Sequence, residues 1–226
     1  MISPNHDDRP QGVPVDHLVL HYTGMRSAHA ALERLCDPAA KVSSHYLVEE
    51  DGAVHALVPE PRRAWHAGIS FWRGASALND RSIGIEIVNP GHEWGYVPFP
   101  RRQVDAVIGL CRDIVARHPV PPRNVVGHSD IAPDRKQDPG ELFPWPCLAA
   151  AGVGLWTDAS ADGADILAEL AAIGYDTSLP AAIVVAAFQR RFRPARVDGV
   201  ADAQTRGRAA AIRTLFEASA PPLTKP

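Results

Sequence analysis

Strand-like and helix-like segments take turns along this chain from residue 15 to residue 145, and that order leaves few architectures open. "VDHLVLH" (15–21) has the β-branched and Leu content of a short buried strand. "SAHAALERLCD" (27–37) has helical spacing and stops before Pro38. "SSHYLVEEDGAVHALVP" (43–59) reads as a hairpin turning at Asp51-Gly52. "RSIGIEIVN" (81–89) alternates with period two and is bounded by Pro90. "RRQVDAVIGLCRDIVARH" (101–118) is an amphipathic helix with Val104, Val107, Ile108, Cys111, Ile114 and Val115 on one face. "NVVGH" (124–128) is a further short strand. Such alternation points to an α/β layered fold.

Beyond residue 145 the pattern changes. Residues 147–165 are rich in Ala, Gly and Asp and read as a linker or a domain edge. From residue 165 the spacing is helical throughout: "DILAELAAIG", "LPAAIVVAAFQRRF" with Pro at the helix start, and a third helix after a turn in "DGVADAQTRGRAAAIRTLFEAS". The expected organisation is a domain over residues 1–150 and a small three-helix unit over 160–220.

Bulk properties remove several classes of function. Hydrophobic residues make up 46% and charged residues 22%, enough apolar material for a packed core. A net charge of −3 argues against a protein that grips nucleic acid through a broad basic surface. Cys36, Cys111 and Cys147 are far apart and odd in number, so neither a Cys-based zinc finger nor a disulfide framework is expected. No run of 18 apolar residues occurs, so no membrane span is expected. The polar start "MISPNHDDRPQG" has no signal-like h-region. The expected location is the cytoplasm, with the periplasm or outer membrane as the alternative if a leader has been removed.

The chemistry gathers in "NVVGHSDIAPDRKQDPG" (124–140), where a His, three Asp and a Lys follow an apolar strand. His128 ends that strand, and His21 ends the strand "HLVLH" in the same manner; strand ends open onto loops, where sites are built. Asp138 lies ten residues beyond His128, where Pro139 and Gly140 turn the chain. Two imidazoles and a carboxylate with a fourth position open is a catalytic zinc arrangement, whereas structural zinc sites close all four positions. Spacing alone does not bring His21 to His128. Taken alone, Glu86 reads equally as a solvent-facing residue of an edge strand, Lys136 as an exposed Lys, and Asp130 and Asp134 as turn or cap residues.

Five strings in order, "LHYTG", "SSHYLV", "WHAG", "SIGIEIVN" and "GHSDIAPDRKQDPG", resemble the type-2 N-acetylmuramoyl-L-alanine amidases, the AmpD- and AmiD-like zinc amidases, over residues 13–146. The resemblance implies a mixed central β-sheet flanked by helices. It implies Zn²⁺ on His21, His128 and Asp138, Glu86 as the general base or acid, and Lys136 as the stabiliser of a developing oxyanion. His45, Trp65 and His66 resemble positions that line the cleft and are expected to bind substrate; the other histidines are assigned to structure or surface. "AFQRRF" followed by "DGVAD" and Thr resembles the three-helix peptidoglycan-binding unit often joined to such amidases; a helical appendage that only packs on the catalytic part is the alternative. The implied partners are peptidoglycan fragments, both muropeptides and anhydromuropeptides, cut between N-acetylmuramic acid and L-alanine in muropeptide recycling. A recognition protein of the same fold without catalysis is the competing reading. It is disfavoured because all five ligand and catalytic positions are filled, and no HExxH motif of the helix-borne zinc peptidases is present. Deleting residues 160–226 is expected to leave hydrolysis of small muropeptides nearly intact; an unfolded or inactive truncation would make the C-terminal helices part of the catalytic fold.

Overall fold

The structure, a computed structural model, describes residues 2–163 and 165–219. The expected boundaries at residues 1 and 220 fall outside the described residues. In chain order the elements are β1 (His6–Asp8), β2 (His17–Tyr22), α1 (Ala28–Cys36), β3 (Tyr46–Val48), β4 (Val54–Ala56), β5 (Arg62–Ala64), β6 (Phe71–Trp72), β7 (Ala75–Ser76), β8 (Ser82–Ile87), α2 (Gly91–Trp94), α3 (Arg101–Arg117), β9 (Val125–Gly127), α4 (His128–Ile131), α5 (Trp145–Ala150), α6 (Ile166–Ile173), α7 (Ala181–Phe192) and α8 (Ala203–Ala218).

The central sheet has five strands in the order β4-β3-β8-β2-β9. The three pairings β3–β8, β8–β2 and β2–β9 are parallel, and β4 closes the edge antiparallel to β3 through the hairpin at Gly52. The sheet is therefore mixed and lies between helices, as expected. Residue alternation sends two sets of side chains to opposite faces. Leu18, Leu20, Ile83, Ile85 and Ile87 meet Val104, Val107, Cys111 and Ile114 of α3, while Ile108 and Val115 sit at the edge of that contact. On α1, capped by Ser27, Ala31 and Leu35 pack with Leu47, Leu57 and Val88.

The opposite face carries His21 and Glu86 near the strand ends, with Val19, Gly84 and Val126 level with one another behind them. Val19 and Val126 share one buried cluster with Trp72, Leu78 and Ile131, and with Leu170, Tyr175, Phe188, Phe192, Ile212 and Phe216 of the C-terminal segment. Helices α6–α8 thus form the third layer. The segment read as a linker joins in: Leu148 and Val153 are buried, and Trp156 stacks on Phe192 at 5.7 Å between ring centres. Two short antiparallel pairs, β1–β5 and β6–β7, complete the described strands.

Glu60 fastens the β3–β4 edge to the end of α3. Its carboxylate accepts from Tyr46 Oη at 2.6 Å, Arg117 Nη2 at 2.7 Å and His118 Nε2 at 2.6 Å. Burial raises its pKa, but these donors outweigh burial and hold it at about 2, below the ordinary 4.5. A depressed folded-state pKa means the stabilisation is complete above about 4.5 and is lost as pH falls towards 2. Discounted for solvent around the cluster, the effect is about 1 kcal/mol, or roughly 2–4 °C in Tm for a chain of this size. Glu60→Gln is expected to melt that much lower at pH 7 by circular dichroism, with the gap to wild type closing between about pH 4.5 and 2. A gap independent of pH would remove the charge from the explanation.

Candidate metal centre and catalytic cleft

Parallel register places the site. His21 on β2 lies beside Glu86 on β8, and Leu20 lies beside Gly127 on β9, which puts His128 next to His21 just past the strand ends. The C-terminal edge of a parallel sheet is where loops diverge and ligands bind. Asp138 comes back to the same point because Ser129 N–H donates to the Asp138 carbonyl at 2.8 Å and Tyr96 Oη donates to the Pro139 carbonyl at 2.6 Å. Gly140 sits at φ 86°, and a Cβ there would run into the Tyr96 ring.

Three atoms converge: His21 Nδ1 and His128 Nδ1 are 2.9 Å apart, and Asp138 Oδ2 is 3.0 Å from each. These sides are close to the edge of about 3.3 Å expected for a tetrahedron of ligands about 2.0–2.1 Å from zinc. All three residues are buried.

The outer hydrogen bonds decide which ring nitrogens carry protons. His128 Nε2 donates to the Ala67 carbonyl at 3.2 Å, which leaves Nδ1 with a lone pair. Ser82 Oγ donates to the Leu78 carbonyl at 2.5 Å, so it accepts from His66 Nε2 at 3.2 Å. His66 Nδ1 is then an acceptor for His21 Nε2 at 3.1 Å, and His21 Nδ1 also holds a lone pair. Burial, reinforced by His128, lowers the His21 pKa to about 4, so the ring is neutral at pH 7. Two ring-nitrogen lone pairs and a carboxylate aimed at one point repel one another unless a cation sits among them. The donor set fits a divalent metal ion of the zinc type.

Around this point opens a cavity of about 640 Å³. Trp65, His66, Glu86, His128, Lys136 and Asp138 all line it. Among the described residues, Glu86 Oε2 is buried without a hydrogen-bond partner. Burial, and then the charge of Asp138, push the Glu86 pKa well above its usual 4.5. An unpartnered buried carboxylate with a raised pKa inside a cleft is the pattern of a proton-transferring group.

Among the sequence-expected substrate residues the structure draws distinctions. Trp65 lines the cavity. The His66 ring lies against Gly84, where a Cβ would come within 2.5 Å of it, and both its nitrogens are engaged. His45 does not reach the cavity: Gly84 N–H donates to its Nδ1 at 3.0 Å, and its Nε2 faces the Arg62 carbonyl at 3.1 Å. That leaves His45 no nitrogen for a substrate. One residue assigned to structure or surface belongs to the cleft instead. His92 lines the cavity, with Nδ1 at 2.9 Å from Tyr22 Oη and Nε2 at 3.0 Å from Glu141 Oε2. It follows the end of β8, so the strand-end reasoning that found His21 could have found it.

Fold and site together define an α/β protein with a candidate metal-binding triad and a carboxylate at the C-terminal edge of its parallel strands, a layout that suits a metal-dependent hydrolase. The family model described as N-acetylmuramoyl-L-alanine amidase matches residues 11–141, more than half of the chain, and the chain belongs to that family. N-acetylmuramoyl-L-alanine amidase AmiD of Escherichia coli (strain K12) is 43% identical over 226 residues, covering 86% of this chain and 81% of AmiD. The 1,6-anhydro-N-acetylmuramyl-L-alanine amidase AmpD of Enterobacter cloacae is 34% identical, covering 63% of this chain and 83% of AmpD. The solved complex of E. coli AmiD with anhydro-N-acetylmuramic acid-L-Ala-D-γ-Glu-L-Lys superposes with a TM-score of 0.82 at 40% identity, over 92% of this chain and 93% of that one. The AmpDh3 structure from Pseudomonas aeruginosa gives 0.82 at 34% identity, over 96% and 99%.

Proposed function

We propose that this chain hydrolyses the amide bond between N-acetylmuramic or anhydro-N-acetylmuramic acid and the L-alanine of peptidoglycan stem peptides, with one Zn²⁺ held by His21, His128 and Asp138, in the recycling of muropeptides. The observation that carries the reading is the donor triangle, whose ring protons all point outward while an unpartnered carboxylate oxygen of Glu86 stands in the same cleft. The anhydromuropeptide in the AmiD complex supports the substrate class. So does the likeness of α6–α8 to a peptidoglycan-binding unit. When bound, Zn²⁺ supplies Lewis acidity and acidifies a water to a pKa of about 7.

The chain's own residues have distinct tasks in this reading. His66 holds the His21 ring in the orientation and tautomer that present Nδ1. Glu86, as carboxylate, takes a proton from the attacking water and returns it to the departing amine of L-alanine. Lys136 places an ammonium beside the carbonyl oxygen as that oxygen gains charge. Trp65 forms a wall of the cleft. His45 is scaffold, fixed against Gly84 and the Arg62 carbonyl.

Glu86→Gln is expected to keep zinc and to lower kcat about 100-fold or more, the range of a lost general base. Unchanged turnover would take Glu86 out of the reaction. The reading as a whole is tested by mass spectrometry of digests of anhydro-N-acetylmuramyl-tripeptide and of its non-anhydro counterpart, with and without a chelator. Chelator-sensitive release of free peptide is the expected result, and a faster rate on the anhydro form would support recycling. No release from either substrate by zinc-loaded protein would leave a recognition protein of this fold.

A further inference from the structure

Asp130, read from the sequence as a turn or cap residue, is the hub of a buried network that joins the C-terminal helices to the metal-ligand loop. It is 1% exposed. Its Oδ2 accepts from Gly127 N–H at 2.8 Å and from Arg191 Nη1 at 2.7 Å, and its Oδ1 accepts from Tyr175 Oη at 2.6 Å. Arg191, on α7, is 2% exposed and also donates Nη2 to the Val125 carbonyl at 3.0 Å. Its guanidinium lies 4.1 Å over the Trp145 ring, and Trp145 flanks Gly127.

A buried ion pair adds little net stability over apolar packing, so its use calls for another reason. Here the groups it fixes are specific. Val125, Gly127 and Asp130 bracket His128 on both sides. The same turn binds the second ligand through Ser129 N–H and the Asp138 carbonyl, 2.8 Å apart. Two of the three metal-binding candidates therefore hang from a four-residue turn whose carboxylate is held from α7 and from the residue just after Gly174.

We propose that Arg191 and Tyr175 are positioning residues for His128 and Asp138, acting through Asp130, and that α6–α8 serve the metal centre as its strut. The inference rests on the metal reading above and extends it to a part of the chain outside the cleft. Partners beyond the direct ligands typically change metal affinity 10- to 100-fold. Arg191→Met keeps the length and apolar contacts of the side chain and removes its charge. Tyr175→Phe removes one hydrogen bond and keeps the ring against Trp72 and Phe188. Ile212→Ala, in the same apolar cluster, is the control for plain loss of packing.

The experiment measures zinc affinity of each full-length chain by competition with a chromophoric chelator. It also records the visible spectrum of the cobalt(II) form and the melting temperature of the metal-free form. Arg191→Met and Tyr175→Phe are expected to weaken zinc about tenfold or more and to alter the cobalt bands. Ile212→Ala is expected to lower the melting temperature while its zinc affinity stays within about twofold of wild type. Should Arg191→Met fail to fold, Tyr175→Phe decides alone. Wild-type zinc affinity in the two variants, or a loss that merely follows melting temperature across all three, would overturn the inference and leave the metal reading standing. A wild-type chain without zinc affinity would overturn both.

Discussion

Asp138→Ala is expected to bind no stoichiometric zinc and to lose at least about a thousandfold in kcat/KM on an anhydromuropeptide. The argument is geometric first. Asp138 Oδ2 is the only anionic corner of the donor triangle, 3.0 Å from each imidazole nitrogen. Without it two imidazoles remain, too few ligands for a catalytic zinc site, which keeps three. Without the ion, hydrolysis at neutral pH falls back on ordinary water, whose pKa of about 15.7 lies roughly nine units above that of a zinc-held one. A thousandfold is thus a modest share of what is at stake. Metal analysis and turnover measured on the same preparation check the result. Full zinc content with full activity would mean that the ligand set lies elsewhere.

The second large effect is on folding. A chain cut after residue 157 is expected to be insoluble, or to show no cooperative melt, in place of the nearly intact hydrolysis expected of a separable module. Truncation takes Arg191 and Tyr175, two of its three donors, away from Asp130. It also uncovers Trp72 and its neighbours, at about 1.5–3 kcal/mol for each large side chain returned to water. Those sums reach the whole stability of a typical domain, about 5–15 kcal/mol. In this chain the sheet face is finished by α6–α8. Asp130→Asn in the truncated chain removes the stranded charge and is expected to recover part of the soluble fraction. A soluble, cooperatively melting and active 1–157 would show that the face tolerates water.

Much of the site was legible because it obeys a local rule. His21 and His128 end apolar strands, and Glu86 stands out as a charge in the alternating run "SIGIEIV". Long-range pairing was hidden. Whether His21 meets His128 depends on β2 lying next to β9, and no spacing in the sequence states strand order. His66 owes its place to Gly84 on another strand, and a His in a loop carries no mark of that. Asp130 looked like a cap, and it does accept Gly127 N–H; its other two donors sit 45 and 61 residues downstream, beyond any local pattern. The three C-terminal helices were visible by period. That their apolar faces turn onto the sheet, as well as onto one another, follows from Trp72 and Val126, which the sequence shows only as ordinary apolar residues.

Chain order has a consequence for synthesis. His21 and His128 are separated by 107 residues, and Arg191 lies 61 residues beyond Asp130. A nascent chain emerging from its N-terminus exposes the first imidazole long before the second, and the strut last of all. Through most of translation His21 is a lone imidazole with no cradle around it. If the ion binds and Arg191 steadies the turn as proposed, the centre is complete only after Arg191 has left the ribosome, and a chain stalled before that point carries the candidate ligands without their support.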